Sequence, residues 1–370
     1  MKIYQTQDIR NIALVGGAKS GKTSMAEAMA FCGGLINRRG SVDSKNTISD
    51  YRDIEHDRGY SVENTLMYTE FGGKKVNILD VPGFADYQGE LDSALNVVEA
   101  AVVVVNAQSG VEVGTEIANR YAAKLDTPML FVVNHLDAEK ANFDDAVNQL
   151  KDFFGGKCTV LQFPTNAGLG FNQVVDIVAN KMYTFTDGKY TEADIPAEYA
   201  DKAEEMRMAL VEEAAAADDA LMEKYFENGD LTAEELTQAL KLAIDKRDLF
   251  PILCTSAKEN FGVNRLLEFI CQNVPPPARS STPRRPTAAR SSRATAPTPP
   301  SPSASRAPRI RTSVKSATSA SSTVSSPRAR MLSTPATRAR SASARCSSAV
   351  APTARKSRKP APAISSAPSS

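Results

Sequence analysis

GGAKSGKT (residues 16–23) is the most informative stretch of this sequence. It fits the pattern G-x-x-x-x-G-K-[ST], follows the apolar run NIALV and precedes the helical run SMAEAMAF. A strand, a glycine-rich turn and a helix in this order let backbone N–H groups at the helix N-terminus surround phosphates. Lys22 would reach the β- and γ-phosphates, and the Thr23 hydroxyl would bind Mg²⁺. The residues expected to bind nucleotide phosphates here are Gly16, Gly17, Ala18, Lys19, Ser20, Gly21, Lys22, Thr23 and Ser24.

Short apolar runs rich in Val, Ile and Leu alternate with helical patterns along the first part of the chain. Their hydrophobicity is continuous rather than alternating, which is typical of strands buried on both faces of a parallel sheet. These runs lie at 11–15, 76–80, 101–106, 129–134 and 251–256. The sequence therefore predicts an α/β fold of the P-loop type, with a mostly parallel sheet and helices on both faces.

The chain between the last two runs is longer than one α/β connection requires, so we expect an inserted, α-rich subdomain at about 166–250. Its middle, MYTFTDGKYTEADIP, predicts a hairpin with a turn at Asp187 and Gly188. Further on, Thr232 and Glu235 form a capping-box pattern at the start of a helix. The acidic character of 191–235 is typical of a solvated helix surface.

The composition changes abruptly after residue 277. Residues 1–277 contain all 43 Asp and Glu and 26 of the 44 Lys and Arg, a net charge of −17, whereas 278–370 carry a net charge of +18. The second part has no Asp, Glu, Gly, Asn, Gln, His or aromatic residue. Such a tail is expected to be disordered, and its charge would allow nonspecific binding to nucleic acid. The same composition is what out-of-frame translation of a GC-rich gene would give. We therefore expect a domain at 1–277 and a Ser/Ala/Pro/Arg-rich tail that is either genuine or a frameshift product.

Several classes of protein are excluded by what the sequence lacks. The N-terminal MKIYQTQDIRN has no apolar signal core, and AAVVVV at 100–105 is too short to cross a bilayer, so we expect a cytoplasmic protein without membrane contact. The five cysteines are scattered without a CxxC pair, which argues against a disulfide framework or a structural zinc site.

Polar residues follow three of the predicted strands. Asp80 and Gly83 form a D-x-x-G pattern, suited to a carboxylate that holds Mg²⁺ and a glycine N–H that meets the γ-phosphate. Asn134 and Asp137 follow the strand at 129–134, and Asp137 could accept two N–H bonds from a guanine edge, which adenine cannot offer. The final group, expected to add a backbone contact to the guanine oxygen, comprises Ser256, Ala257 and Lys258. Carboxyl ends of successive strands are where such sheets bind ligands.

GGAKSGKTS, RGYS (58–61), DVPGFAD, NHLD and SAK, in this order, resemble the GTP-binding domain of translational GTPases of the elongation factor G family, in its divergent, elongation-factor-G-like branch. The resemblance covers about 1–277. It implies binding of GTP or GDP with Mg²⁺, and makes Ser61 a switch residue in the place of a threonine. It also implies metal ligation through Thr23, Ser61 and Asp80, and catalytic positions at Lys22, Ser61, Gly83 and Phe84.

Two departures from the family pattern affect the expected activity. His135 stands where the family has a lysine whose aliphatic stem packs near the nucleotide. Phe84 stands where the family has a histidine that orients the attacking water, a function that a phenylalanine lacks. We expect GTP hydrolysis to be slow unless another group orients the attacking water. Asp86 and Gln88 are nearby polar candidates for that function. The alternative is that Phe84 only fills space while ribosomal groups support hydrolysis.

The resemblance implies a monomeric GTP hydrolase that acts on the ribosome, through ribosomal RNA and proteins, in elongation and translocation or in ribosome disassembly. The acidic insertion would meet the ribosomal stalk protein. The alternatives are a GTP-dependent ribosome-binding module with little or no hydrolysis, and a truncated, inactive factor. A P-loop ATPase with a nucleic-acid-binding tail is a further alternative, against which Asp137 argues.

Overall fold

A seven-stranded sheet, parallel except at one edge, lies at the centre of the domain. The computed structural model describes residues 2–186 and 188–277, so the predicted tail at 278–370 lies outside the described residues. In chain order the strands are β1 (Ile9–Gly16), β2 (Thr65–Phe71), β3 (Lys74–Asp80), β4 (Ala100–Asn106), β5 (Met129–Asn134), β6 (Cys158–Val160), β7 (Gln162–Pro164), β8 (Gln173–Asp176), β9 (Lys181–Thr186), β10 (Lys189–Ala193) and β11 (Phe250–Cys254). The order in the central sheet is β2-β3-β1-β4-β5-β11-β6, with only β2 antiparallel to its neighbour.

Helices connect the strands and cover the central sheet. In chain order they are α1 (Lys22–Cys32), α2 (Asp53–Arg58), α3 (Gln88–Leu95), α4 (Val113–Lys124), α5 (Phe143–Phe154), α6 (Ala197–Ala215), α7 (Asp219–Asn228), α8 (Ala233–Asp245) and α9 (Val263–Asn273). Short 3₁₀ turns occur at Thr6–Asp8, Ala85–Tyr87 and Gly155–Lys157. None of the helices at 2–186 and 188–277 is long and apolar enough to span a membrane.

The predicted α/β fold with a mostly parallel sheet is confirmed. Each of the five predicted apolar runs forms a strand, namely β1, β3, β4, β5 and β11. All residues of β5 and β11 are buried, as the continuous hydrophobic runs required. The edge strands β2 and β6 lack this signal, because β2 alternates buried and exposed positions and β6 has three residues.

The chain between β6 and β11 forms a second, antiparallel sheet and three helices. The sheet order is β10-β9-β8-β7, and α6, α7 and α8 follow it. The predicted hairpin is the β9–β10 pair; Asp187 of its turn lies outside the described residues, and Gly188 has a φ of +74°. The capping box at the start of α8 is confirmed, since the Thr232 hydroxyl accepts from the Glu235 N–H and Glu235 Oε2 accepts from the Thr232 N–H.

The parallel strands bring the polar residues after β1, β3, β5 and β11 to one edge of the sheet. Leu14 of β1 is in register with Asp80, and Gly16 with Val104. Asn106 at the end of β4 is opposite Asn134 at the end of β5. This common edge carries the candidate site.

Candidate functional site

The P-loop (16–23) joins β1 to α1 and requires glycine at two of its positions. Gly16 has a φ of +130° and Gly21 a φ of +92°. A Cβ on Gly16 would lie 2.4 Å from the Val104 carbonyl oxygen, and one on Gly21 would lie 2.3 Å from Asn134 Nδ2. The sequence therefore folds this loop tightly against the ends of β4 and β5, where its backbone N–H groups can face a phosphate.

Lys22 is buried at the floor of the site. Its Nζ donates to the carbonyl oxygens of Gly16 and Gly17 at 3.3 and 2.6 Å. Burial lowers the pKa of Lys22 to about 8, and the charges of Asp80 and Glu112 oppose this shift. A buried cation that is held by carbonyl oxygens and by more distant carboxylates is well suited to receive phosphate oxygens.

Thr23, Ser61 and Asp80, the three predicted metal ligands, lie together. Thr23 Oγ1 donates to Asp80 Oδ2 at 2.8 Å and is 3.2 Å from Ser61 Oγ. Asp80 is buried, burial raises its pKa to about 6, and its Oδ1 has no hydrogen-bond partner within the described part of the chain. Sequence reasoning missed a fourth oxygen donor, Asp50, which is buried beside them with its pKa raised by burial.

These oxygen donors fit a hard divalent cation. Magnesium prefers carboxylate, hydroxyl and phosphate oxygens, and Asp80 Oδ1 is a buried acceptor that such a cation or its water would satisfy. Thr23, Ser61 and Asp80 would hold the cation, which would supply charge stabilisation at the β- and γ-phosphate oxygens.

The predicted base-recognition residues form one network. Asn134 is buried, and its Nδ2 donates to the Ser20 carbonyl oxygen at 2.9 Å. Its Oδ1 accepts from the Ala257 N–H at 2.9 Å. Ser256 Oγ donates to Asp137 Oδ1 at 2.7 Å, which fixes the orientation of that carboxylate. The network thus ties the P-loop, the end of β5 and the end of β11 together.

A cavity of about 660 Å³ runs between the phosphate and base ends of the site. Its wall includes residues 18, 19 and 21–23 of the P-loop with Ser61, Gly83 and Phe84, and at the other end His135, Ala257 and Lys258. Asp137 and Ser256 do not line it. His135 packs against the P-loop, since a Cβ on Gly21 would lie 2.9 Å from its Nε2, and burial lowers the pKa of His135.

Arg39 is a second wall residue that sequence reasoning missed. Its Nη1 donates to the carbonyl oxygens of both Ala257 and Lys258 at 2.8 Å. Glu27 of α1 holds the loop that contains Arg39, because its carboxylate accepts hydrogen bonds from the N–H groups of Gly40 and Ile48. No short motif marks Arg39, Asp50 or Glu27, because each acts through a contact with a distant part of the chain.

Phe84 contacts the predicted switch at 58–61. Its ring lies 4.5 Å, centroid to centroid, from that of Tyr60, and 37% of Phe84 is exposed. Arg58 Nη1 donates to the Tyr87 hydroxyl at 2.8 Å. Gly83, next to Phe84, needs its small size, because a Cβ there would lie 2.7 Å from the carbonyl oxygen of Gly17. An aromatic pair therefore covers the phosphate end of the cavity.

Asp86 and Gln88, the two polar residues considered as replacements for the water-orienting histidine, lie outside the cavity. Asp86 is exposed, and Gln88 Oε1 accepts from the Tyr121 hydroxyl on α4 at 3.3 Å. Neither lines the cavity described above.

Comparison with known proteins shows the family of this chain. The profile described as the elongation factor Tu GTP binding domain matches residues 7–276. This chain belongs to that family. The chain is also similar to the crystal structure of ttk003000868 from Thermus thermophilus, with 32% sequence identity and a TM-score of 0.69. The alignment covers 73% of this chain and 41% of that protein.

The family match confirms the resemblance to translational GTPases of the elongation factor G family. The match supports a translational GTPase with a guanine-nucleotide-binding domain. The chain spans less than half of the length of the Thermus protein that it matches.

Proposed function

We propose that this chain binds GTP and GDP with Mg²⁺ in the cavity between the P-loop and the loop that carries Ala257 and Lys258. The observation that carries the proposal is the grouping of three sets of residues at one sheet edge. These are a P-loop with a buried lysine, the Thr23–Ser61–Asp80 oxygen cluster and the Asp137–Ser256 pair. Each set matches one part of a magnesium nucleotide: its phosphates, its cation and its base.

Asp137 is the residue that we propose selects guanine over adenine. Ser256 holds its carboxylate by a 2.7 Å hydrogen bond that leaves the other oxygen able to accept from guanine N–H groups. A site that is built to accept these N–H groups rejects adenine strongly, because buried polar atoms would then lack partners.

Equilibrium binding of GDP and ADP to the full-length chain tests this proposal. We expect GDP to bind at least about a hundredfold more tightly than ADP. Asp137→Ala should remove most of this preference, and Asp144→Ala, which truncates an exposed aspartate of α5, should leave it unchanged. Equal affinity for the two nucleotides would favour the ATPase alternative and overturn the proposal.

We also propose that hydrolysis of GTP is slow in the isolated chain. Phosphoryl transfer is catalysed mainly by positioning and charge stabilisation, and Phe84 cannot orient a water molecule. The contact of Phe84 with Tyr60 supports a covering role for both rings. A GTP-dependent binding module with little hydrolysis is the second candidate, and the same contact favours it.

For the whole protein we propose a role on the ribosome, in elongation and translocation or in ribosome disassembly, with ribosomal RNA and proteins as partners. Family membership supports this role. We further propose a monomeric, cytoplasmic protein with a GTP-binding domain at 1–277, into which the subdomain at about 166–250 is inserted. The acidic face of that subdomain would meet the ribosomal stalk protein.

A further inference from the structure

The loop at 256–261, here called the base loop, is closed by a pair of backbone hydrogen bonds. The N–H of Ser256 donates to the Phe261 carbonyl oxygen, and the N–H of Phe261 donates to the Ser256 carbonyl oxygen, both at 2.9 Å. A shift of Phe261 must therefore move Ser256. Because Ser256 orients Asp137, the position of Phe261 bears on base recognition.

Phe261 packs against the inserted chain. Its ring stacks on Phe185 of β9 with a centroid distance of 5.8 Å and an interplanar angle of 16°. Phe171 approaches from another side at 6.4 Å and 55°. Phe171 and Phe185 are buried, so Phe261 lies against a fixed apolar surface that belongs to the second sheet and the chain before it.

The turn of the β9–β10 hairpin makes a second contact with the base loop and with α9. Asn264 Nδ2 donates to the Gly188 carbonyl oxygen at 3.1 Å. Asn260 is buried with a φ of +62°, and a Cβ on Gly188 would lie 2.8 Å from its Nδ2. Cys32 Sγ at the end of α1 donates to Asn260 Oδ1 at 3.3 Å. The base loop is thus held between the hairpin and α1.

We propose that the β9–β10 hairpin is a positioning element for guanine recognition, an inference that rests on the proposed function. The hairpin holds the base loop where Ser256 can orient Asp137, and Phe185, Phe261 and Asn264 do so without lining the nucleotide cavity. Binding energy at the base is then linked to the position of the inserted subdomain. A partner that displaces the hairpin lowers the affinity of the site for guanine nucleotide, and bound nucleotide in turn stabilises the position of the hairpin.

The test compares GDP with inosine diphosphate, whose base lacks the exocyclic amino group that Asp137 would accept from. The variants are Phe185→Leu and Asn264→Ala in the full-length chain, with Glu192→Ala, which is exposed on the same hairpin, as the matched control. We expect each variant to raise the Kd of GDP about fivefold, the equivalent of one neutral hydrogen bond, and to reduce the preference for GDP over inosine diphosphate. Glu192→Ala should change neither quantity.

The preference between the two nucleotides separates positioning from general damage to the fold. If the variants weaken both nucleotides equally, or weaken neither, the hairpin does not position the base loop and the inference is wrong. If the unsubstituted chain binds no GDP, or binds the two diphosphates equally, the proposed function itself fails. Asn264→Ala removes one half-buried amide from α9. It therefore still tests the inference if Phe185→Leu does not fold.

Discussion

Phe84 is the residue on which the expected rate of hydrolysis depends. Phe84→His would return a polar, water-orienting side chain to the position after Gly83. We expect this variant to hydrolyse GTP on ribosomes at least about tenfold faster than the unsubstituted chain, and to bind GTP with the same affinity. Single-turnover hydrolysis with and without ribosomes measures both rates. Equal rates would mean that Phe84 only fills space and that ribosomal groups position the water.

We expect the buried carboxyl group of Asp80 to lower the stability of the nucleotide-free protein near neutral pH. Burial raises the pKa of Asp80 to about 6 from 3.8, so between these values the folded state binds more protons than the unfolded state. The contribution of Asp80 to the free energy of unfolding therefore falls as the pH rises from about 4 to 6 and stays low above that.

Asp80→Asn should accordingly stabilise the nucleotide-free protein. We expect a gain of about 1 to 2 kcal/mol in the free energy of unfolding at about pH 7.5 and a much smaller gain at about pH 4. The same variant should lose the stabilisation that GDP with Mg²⁺ gives the unsubstituted chain. Urea unfolding at the two pH values, with and without magnesium and GDP, measures these differences. A gain that is the same at both pH values would contradict this explanation.

At the scale of elements, sequence and structure agree where a local pattern is strong. The runs that became β4 and β5 are continuous and apolar because both faces of those strands are covered. The Thr232 capping box likewise sets the start of α8 through contacts within one turn. The edge strand β6 gave no such signal, since its pairing with β11 joins segments that are far apart in the chain.

The residues of the candidate site also fall into two groups, those that a local sequence motif predicts and those that only the fold brings into place. Lys22, Asp80 and Asp137 lie in short motifs directly after strands, so their positions follow from the order of the strands. Asp50 and Arg39 lie in the long connection between α1 and α2, and only the folded loop brings them to Ser61 and Ala257. The contact of Phe185 with Phe261 is also invisible in the sequence, because it joins the inserted hairpin to a loop far along the chain.

At the scale of the whole chain, we expect the separation of charge to decide which part of the protein can bind RNA. Residues 1–277 carry a net charge of −17, so long-range electrostatics should oppose nonspecific RNA binding by this part. Residues 278–370 carry +18 and no acidic residue. Specific binding to the ribosome through the GTP-binding domain would then depend on local contacts, whereas nonspecific binding would depend on the basic part.

Removal of residues 278–370 tests this division, once sequencing across the codons around Pro277 and an intact mass of 39.7 kDa have established the reading frame. We expect the full-length chain to bind single-stranded RNA at about 50 mM salt and to lose about a hundredfold or more in affinity by about 200 mM, because bound phosphates release counterions. The chain that ends at Pro277 should bind no RNA under either condition and should keep the same Kd for GDP. RNA binding that survives the truncation would instead assign a basic face to the GTP-binding domain. A changed Kd for GDP would mean that the basic part acts on the nucleotide site.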